Sequence, residues 1–475
     1  MESSIRSESI PNNVNLDSAP GLVRAMSHWQ SRFKEWWLER GPSAFQSHQV
    51  YLRTAVSVEP DGWARYEHVR MPEYRWGIFL APSVRDRTIG FGDMQGQPVW
   101  QEPPEEHRES LRWLIAMQGD AEPASVEQQR LLGSTCPSLY DLRNLLQVNV
   151  EEARHLWGMS YLLLRYFGAE GWNAAEELLD RSSGDVERPR VLDAFNAPVE
   201  DWLHFFMYTA FTDRVGKVQL QAAAESAFDP LARTARFMAT EEAHHLFVGE
   251  TGVGRVLQRT VELMKNSPNG SARELGGIDL PVIQKYLNLW YSLTMDLFGA
   301  EVSRKAGAVF ANGVKGRPKE AMFEDHDERG RSLRVESWDT AANAFRYQDV
   351  PVRSAMNEVL RGLFTLDCRS VVERWNKVLA SQGLQERLQL PSRRFNRQQG
   401  LLSSGHFALD GTPVSAEEWA RRRSEWLPTE DDRAAVRNVQ ARAVLAPGEM
   451  ANWIAPPPRG IHGKPLDFAY VRVET

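Results

Sequence analysis

Two short stretches of this chain place a glutamate three residues ahead of a histidine: Glu152 and His155 in VEEARHLWG, and Glu242 and His245 in TEEAHHLFVGE. On a helix that spacing puts carboxylate and imidazole on one face, so the two side chains can share one metal ion. A single pair of this kind is common on solvated helices. Two such helices facing each other, with one further carboxylate from each of two others, are the donor set of carboxylate-bridged dinuclear metal sites in four-helix bundles.

The doublets Glu151/Glu152 and His244/His245 leave the register open, and the apolar pattern decides it. Glu152 and His155 continue a face with Leu145, Val148, Met159 and Leu162, whereas Glu151 shares its side with Asn144, Gln147 and Arg154. Glu242 and His245 align with Leu231, Ala235, Met238 and Gly249, whereas Glu241 and His244 align with Arg233, Thr251 and Arg255. The expectation is that Glu152, His155, Glu242 and His245 point inward.

The missing carboxylates follow from the geometry of antiparallel helices, which bring residues level when they lie equally far from the intervening turn. Glu122 precedes Glu152 by 30 residues with Cys136-Pro137 at the midpoint, and Asp213 precedes Glu242 by 29 with Asp229-Pro230 close to it. At about 1.5 Å per residue each leg spans roughly 20 Å, enough to reach the middle of a bundle. Asp213 has small or apolar helical neighbours in Thr209, Ala210, Gly216 and Leu220. Glu122 directly precedes Pro123, which disfavours helical geometry there, so a kink is expected. Gln118, one turn earlier, is a candidate extra ligand or a partner of one.

The elements that must carry these residues are legible as helical periodicity over Glu105 to Ser134, Ser138 to Phe167, Val199 to Ala227, Pro230 to Lys265 and Leu280 to Asn312. A short helix is expected near Trp172 to Asp180. The organisation expected is an N-terminal helix with strand-like segments over 1–104, a four-helix core with a fifth long helix over 105–313, additional helices over 314–388 and an irregular extension over 389–475. The fold class is therefore mainly α. YLRTAV, WARYEHV and YRWGIFL, between Val50 and Leu80, read as extended segments, and Ala416 to Trp426 as a short helix.

The 475 residues are 42% hydrophobic and 25% charged, with a mean hydropathy of -0.46, the values of an ordinary folded protein. A net charge of -7 and a pI near 6.0 argue against nucleic acid or an anionic membrane as partner. Cys136 and Cys368 are the two cysteines, so neither a disulfide framework nor an iron-sulfur cluster is expected, and electrons must come from another protein. Without an apolar leader or a membrane-length run, the expected location is the cytoplasm. His28, His68, His204, His326 and His462 lack such partners and read as packing or surface residues; Tyr161 and Tyr166 read as core. The clusters Arg393/Arg394 and Arg421/Arg422/Arg423 read as solvated surface.

Four carboxylates and two imidazoles form a hard donor set that suits iron in both common oxidation states and leaves positions for oxygen. An oxygen-activating enzyme, a ferroxidase and a radical-generating bundle all use such a set. HWQSRFKEWWLERGP, NVNVEEARHLWGMSYLL and MATEEAHHLFVGETG, together with the tail, resemble the oxygenase component of benzoyl-CoA 2,3-epoxidases across nearly the whole chain. The resemblance implies a ferritin-like fold and two iron ions on Glu122, Glu152, His155, Asp213, Glu242 and His245, with Gln118 close by. It further implies epoxidation of benzoyl-CoA by O2, with electrons from NADPH through a separate flavin and iron-sulfur reductase. Related phenylacetyl-CoA epoxidases share the bundle logic, so another aryl-CoA is the alternative substrate.

Overall fold

The computed structural model describes residues 10–43, 76–323, 331–458 and 468–472. Most of the segment expected to be extended between Val50 and Leu80 lies outside them, as do His68, His326 and His462. Of that segment, Trp76 to Leu80 are described, with Ile78 bridging Asn12.

Chain punctuation sets the helix ends. Pro20 opens α1 (Pro20–Arg40), which packs its aromatic face on the bundle: Trp29 Nε1 donates to Ala175 O at 3.0 Å, and Trp29 and Phe33 both stack edge-on against Trp157. Such burial of large rings is where much of the tryptophan content goes. Helix α2 (Arg108–Gln128) runs through Pro123 without breaking, so the expected kink does not end it. Ser138 then caps α3 (Leu139–Tyr166), accepting from Asp141 N at 3.2 Å. The short α4 (Gly168–Asp180) packs against both of these helices and against α1.

Asp201 caps α5 (Trp202–Ala223) by accepting from His204 N at 2.8 Å, and α6 (Asp229–Asn266) starts with Pro230 in its first turn, where the missing N–H costs nothing. Helices α5 and α6 pack closely because α6 presents glycines: a Cβ on Gly252 would lie 2.2 Å from the Phe206 ring, and one on Gly249 would lie 2.4 Å from Ala210 N. Helices α3 and α6 face each other, while α2 and α5 stand apart and leave a slot. The architecture is the mainly helical bundle expected from the periodicity.

The expected fifth long helix, Leu280 to Asn312, is instead two pieces. α7 (Leu280–Met295) ends in a single 3-10 turn, Gly299 adopts a left-handed φ of 77°, and α8 (Arg304–Ala311) starts afresh on Ser303, which accepts from Ala306 N at 3.1 Å. The break is held open from elsewhere in the chain. Arg397 donates to Asp296 at 2.6 Å and to Glu301 at 2.9 Å, and Arg361 Nε donates to Met295 O at 3.0 Å.

Beyond it, the stretch expected as additional helices holds an antiparallel hairpin, β1 (Ser332–Asp339) with β2 (Ala344–Pro351), before the single long α9 (Met356–Ser381). The C-terminal region contributes α10 (Ala416–Trp426), α11 (Glu430–Val439) and a short parallel pair, β3 (Glu449–Ala451) with β4 (Ala469–Val471). Among the described residues no helix is long and apolar enough to cross a membrane.

Candidate metal centre

The six expected ligands converge. Glu122 comes from α2, Glu152 and His155 from α3, Asp213 from α5, and Glu242 and His245 from α6, and none is more than 4% exposed. His155 Nδ1 lies 3.2 Å from Glu122 and 3.6 Å from Glu152. His245 Nδ1 lies 3.4 Å from Glu152, 3.5 Å from Glu242 and 3.9 Å from Asp213. Glu122, Glu152 and His155 thus form one compact triad and Glu152, Glu242 and His245 a second. Glu152 belongs to both, with one oxygen towards each imidazole.

The second nitrogen of each imidazole shows how the rings are held. His155 Nε2 donates to Glu241 at 3.1 Å, and His245 Nε2 donates to Glu151 at 3.2 Å. Each ring is therefore oriented by a carboxylate from the opposite ExxH helix. A proton on Nε2 leaves the Nδ1 lone pair facing the centre, the tautomer a metal ligand needs. Glu241 is in turn gripped by Arg154, and Glu151 accepts from Gln147 Nε2 at 2.9 Å.

The apolar pattern does not single out Glu151 and Glu241 as partners of the imidazoles, because their helical neighbours are polar, which reads as a solvated side. Glu151 is in fact only 4% exposed. The signal available was the repeat itself, since both motifs are E-E-x-x-H. His244, as expected, is turned away from the centre and packs on Phe247. Gln118 Nε2 donates to Glu122 at 2.8 Å and so holds that carboxylate.

Crowding four carboxylates out of water has the expected electrostatic result. Burial pushes the Glu122 carboxyl up to about 8 against the pull of His155. Burial, reinforced by the charges of Glu152 and Glu242, holds Asp213 well above the usual carboxylate range, and burial raises Glu242 too. Glu152 moves the other way: burial opposes its charge, but hydrogen bonds from both imidazoles keep it low. Burial would also lower His155 and His245, yet the surrounding carboxylates lift both well above the ordinary imidazole value.

The donor set fits a pair of divalent cations. Asp213 Oδ2, Glu242 Oε2 and His245 Nδ1 are buried without a hydrogen-bond partner, a costly arrangement unless a cation satisfies them. The four negative charges of Glu122, Glu152, Asp213 and Glu242 would be neutralised by two such ions, and binding would displace the protons these groups otherwise hold.

A cavity of about 370 Å³ opens onto this centre through the slot between α2 and α5, roofed by the broken stretch from Leu297 to Lys315. Its walls are largely apolar, including Leu114, Met117, Phe195, Phe298, Val309 and Leu360. Tyr208, hydrogen-bonded with Ser125 at 2.8 Å, also lines it; Tyr161 and Tyr166 line a separate pocket. Arg393 and Arg394 do not face the slot but pair with Glu358 and Glu336. An apolar cavity whose floor is a cluster of buried carboxylates and imidazoles that could hold metal is suited to placing an apolar group beside that cluster.

No protein-family model matches the chain. It is 52% identical over 469 residues to the "Benzoyl-CoA oxygenase component B" of Aromatoleum evansii, a match covering 98% of this chain and 99% of that protein.

Proposed function

This chain belongs to the benzoyl-CoA oxygenase component B family, and from that premise we propose that it is the oxygenase component of a ring epoxidase acting on benzoyl-CoA. In this reading two iron ions are held by Glu122, Glu152, His155, Asp213, Glu242 and His245, and the product is the non-aromatic 2,3-epoxide. When bound, the iron pair supplies reductive activation of O2, one oxygen atom going to the ring and the other to water with two electrons consumed. The electrons come from NADPH through a separate flavin and iron-sulfur reductase; the relative's designation as a component B supports a multi-protein system.

The chain's own side chains do the positioning. Glu152, shared by the two triads, would offer one carboxylate oxygen to each of them. Glu151 and Glu241 fix the imidazole tautomers, and Gln118 holds the Glu122 carboxylate by donating to one of its oxygens. The apolar walls exclude water and seat the aromatic ring over the carboxylates.

The single observation that carries this reading is the pair of buried triads joined at Glu152 on the floor of an apolar slot. The test is anaerobic iron loading followed by reaction with benzoyl-CoA, O2 and a reductase. Formation of the 2,3-epoxide is expected; oxygen uptake indifferent to every aryl-CoA would overturn the assignment.

A further inference from the structure

Among the described residues, the charged groups lining the slot are the four ligand carboxylates and two lysines, Lys305 and Lys315. The two cations differ in setting. Lys305 is exposed at the mouth, its ammonium 4.8 Å from the ring centre of Trp113, itself 42% exposed. Lys315 is partly buried and, among the described residues, has no hydrogen bond or ion pair to its ammonium. Burial alone pushes that ammonium down to about 8, so it is mostly charged at neutral pH.

The backbone seats Lys315 firmly. Gly313, at a left-handed φ of 68°, is packed so that a Cβ would lie 2.4 Å from Ile89, and its carbonyl accepts from Ala227 N at 2.7 Å. Val314 N donates to Val309 O at 3.0 Å. A lysine fixed at a helix end for solubility alone would extend into water, and one that balanced the metal-site carboxylates would pair with them. Lys315 does neither. An apolar-walled cavity holding one unpaired cation leaves that cation's acceptor to come from whatever fills the cavity.

We propose that Lys315 is a substrate-positioning residue whose ammonium donates a hydrogen bond to the thioester carbonyl oxygen of the bound acyl-CoA. The inference rests on the aryl-CoA reading above. With the ring against Glu122, Glu152, Asp213 and Glu242, the carbonyl is the first oxygen acceptor outward from the ring. The phosphates, strongly hydrated, belong at the open mouth beside Lys305. A donor built for a carbonyl also gives selectivity, because a ligand lacking that oxygen leaves the ammonium unpaired.

The test measures equilibrium binding of three ligands to the wild-type protein and to Lys315→Met and Lys315→Arg. Benzoyl-CoA has ring, carbonyl and phosphates; S-benzoyl-N-acetylcysteamine lacks the phosphates; S-benzyl-CoA lacks the thioester carbonyl. Lys315→Met is expected to weaken the first two about tenfold, the worth of one charge-assisted hydrogen bond, and to leave S-benzyl-CoA unchanged. Lys315→Arg is expected to recover part of the loss, with circular dichroism and iron content unaltered in both variants. Loss for the two CoA ligands but not for the truncated thioester would assign Lys315 to phosphate and overturn the proposal. Unchanged binding of all three would also overturn it. Failure of the wild-type protein to bind any of these ligands would instead count against the aryl-CoA reading itself.

Discussion

The carboxylate of Glu151 lies 3.2 Å from Nε2 of His245, 94 residues further along the chain, and the same relationship runs in reverse between Glu241 and His155 at 3.1 Å. The two ExxH helices are therefore interlocked: each orients the imidazole that the other presents. Glu151→Ala is expected to weaken metal binding about tenfold to a hundredfold through His245. Glu241→Ala is expected to do the same through His155, although it lies on the other helix. Competition with a chelator of known affinity measures both, and wild-type affinity in either variant would contradict the crossed arrangement.

Removing a ligand outright is a harsher change. His155→Ala or Glu242→Ala is expected to abolish turnover and lower iron content, while the far-ultraviolet circular dichroism stays helical because the bundle core is untouched. Full activity in either variant would remove the proposed centre.

Metal loading also bears on stability. Without cations, four crowded carboxylates and several unpaired polar atoms are left inside the bundle. A ligand that binds only the folded state adds about 2.7 kcal/mol at a hundredfold excess over Kd. Ferrous iron added anaerobically is thus expected to raise the melting temperature of the wild-type protein clearly and that of His155→Ala far less. Equal shifts in the two proteins would show that iron acts elsewhere.

The close approach of α5 and α6 gives a prediction independent of chemistry. Gly252→Ala places a methyl 2.2 Å from the Phe206 ring in a buried interface. Overpacking of this kind costs about 1–3 kcal/mol, read as a lower melting temperature. An unchanged melting temperature would mean that the two helices are not held at this distance.

The convergence of the six side chains is legible because two constraints coincide there: apolar residues at helical spacing choose the inward face, and equal distances from a proline-marked turn choose the level. Neither constraint reports on Glu151 or Glu241, which sit between helices rather than in the apolar core, next to residues such as Gln147 and Arg154 that they themselves bind. The interruption after Met295 was illegible for another reason. Leu297, Phe298 and Val302 keep an apolar rhythm, while the break is enforced by Arg397 and Arg361, which come from elsewhere in the chain. The hairpin Ser332–Asp339 with Ala344–Pro351 was overlooked because most of its residues are partly or fully exposed, so no buried face imprints alternation on the sequence.

The roof of the slot is made from that interruption, and the floor from four unbroken helices. Insertions or exchanges between Phe298 and Lys315 would remodel the entrance while leaving every side chain of the carboxylate and imidazole cluster on its rigid support. Selection for a differently shaped ring or acyl chain could then act on one short stretch of connecting backbone, with the oxidation chemistry inherited unchanged.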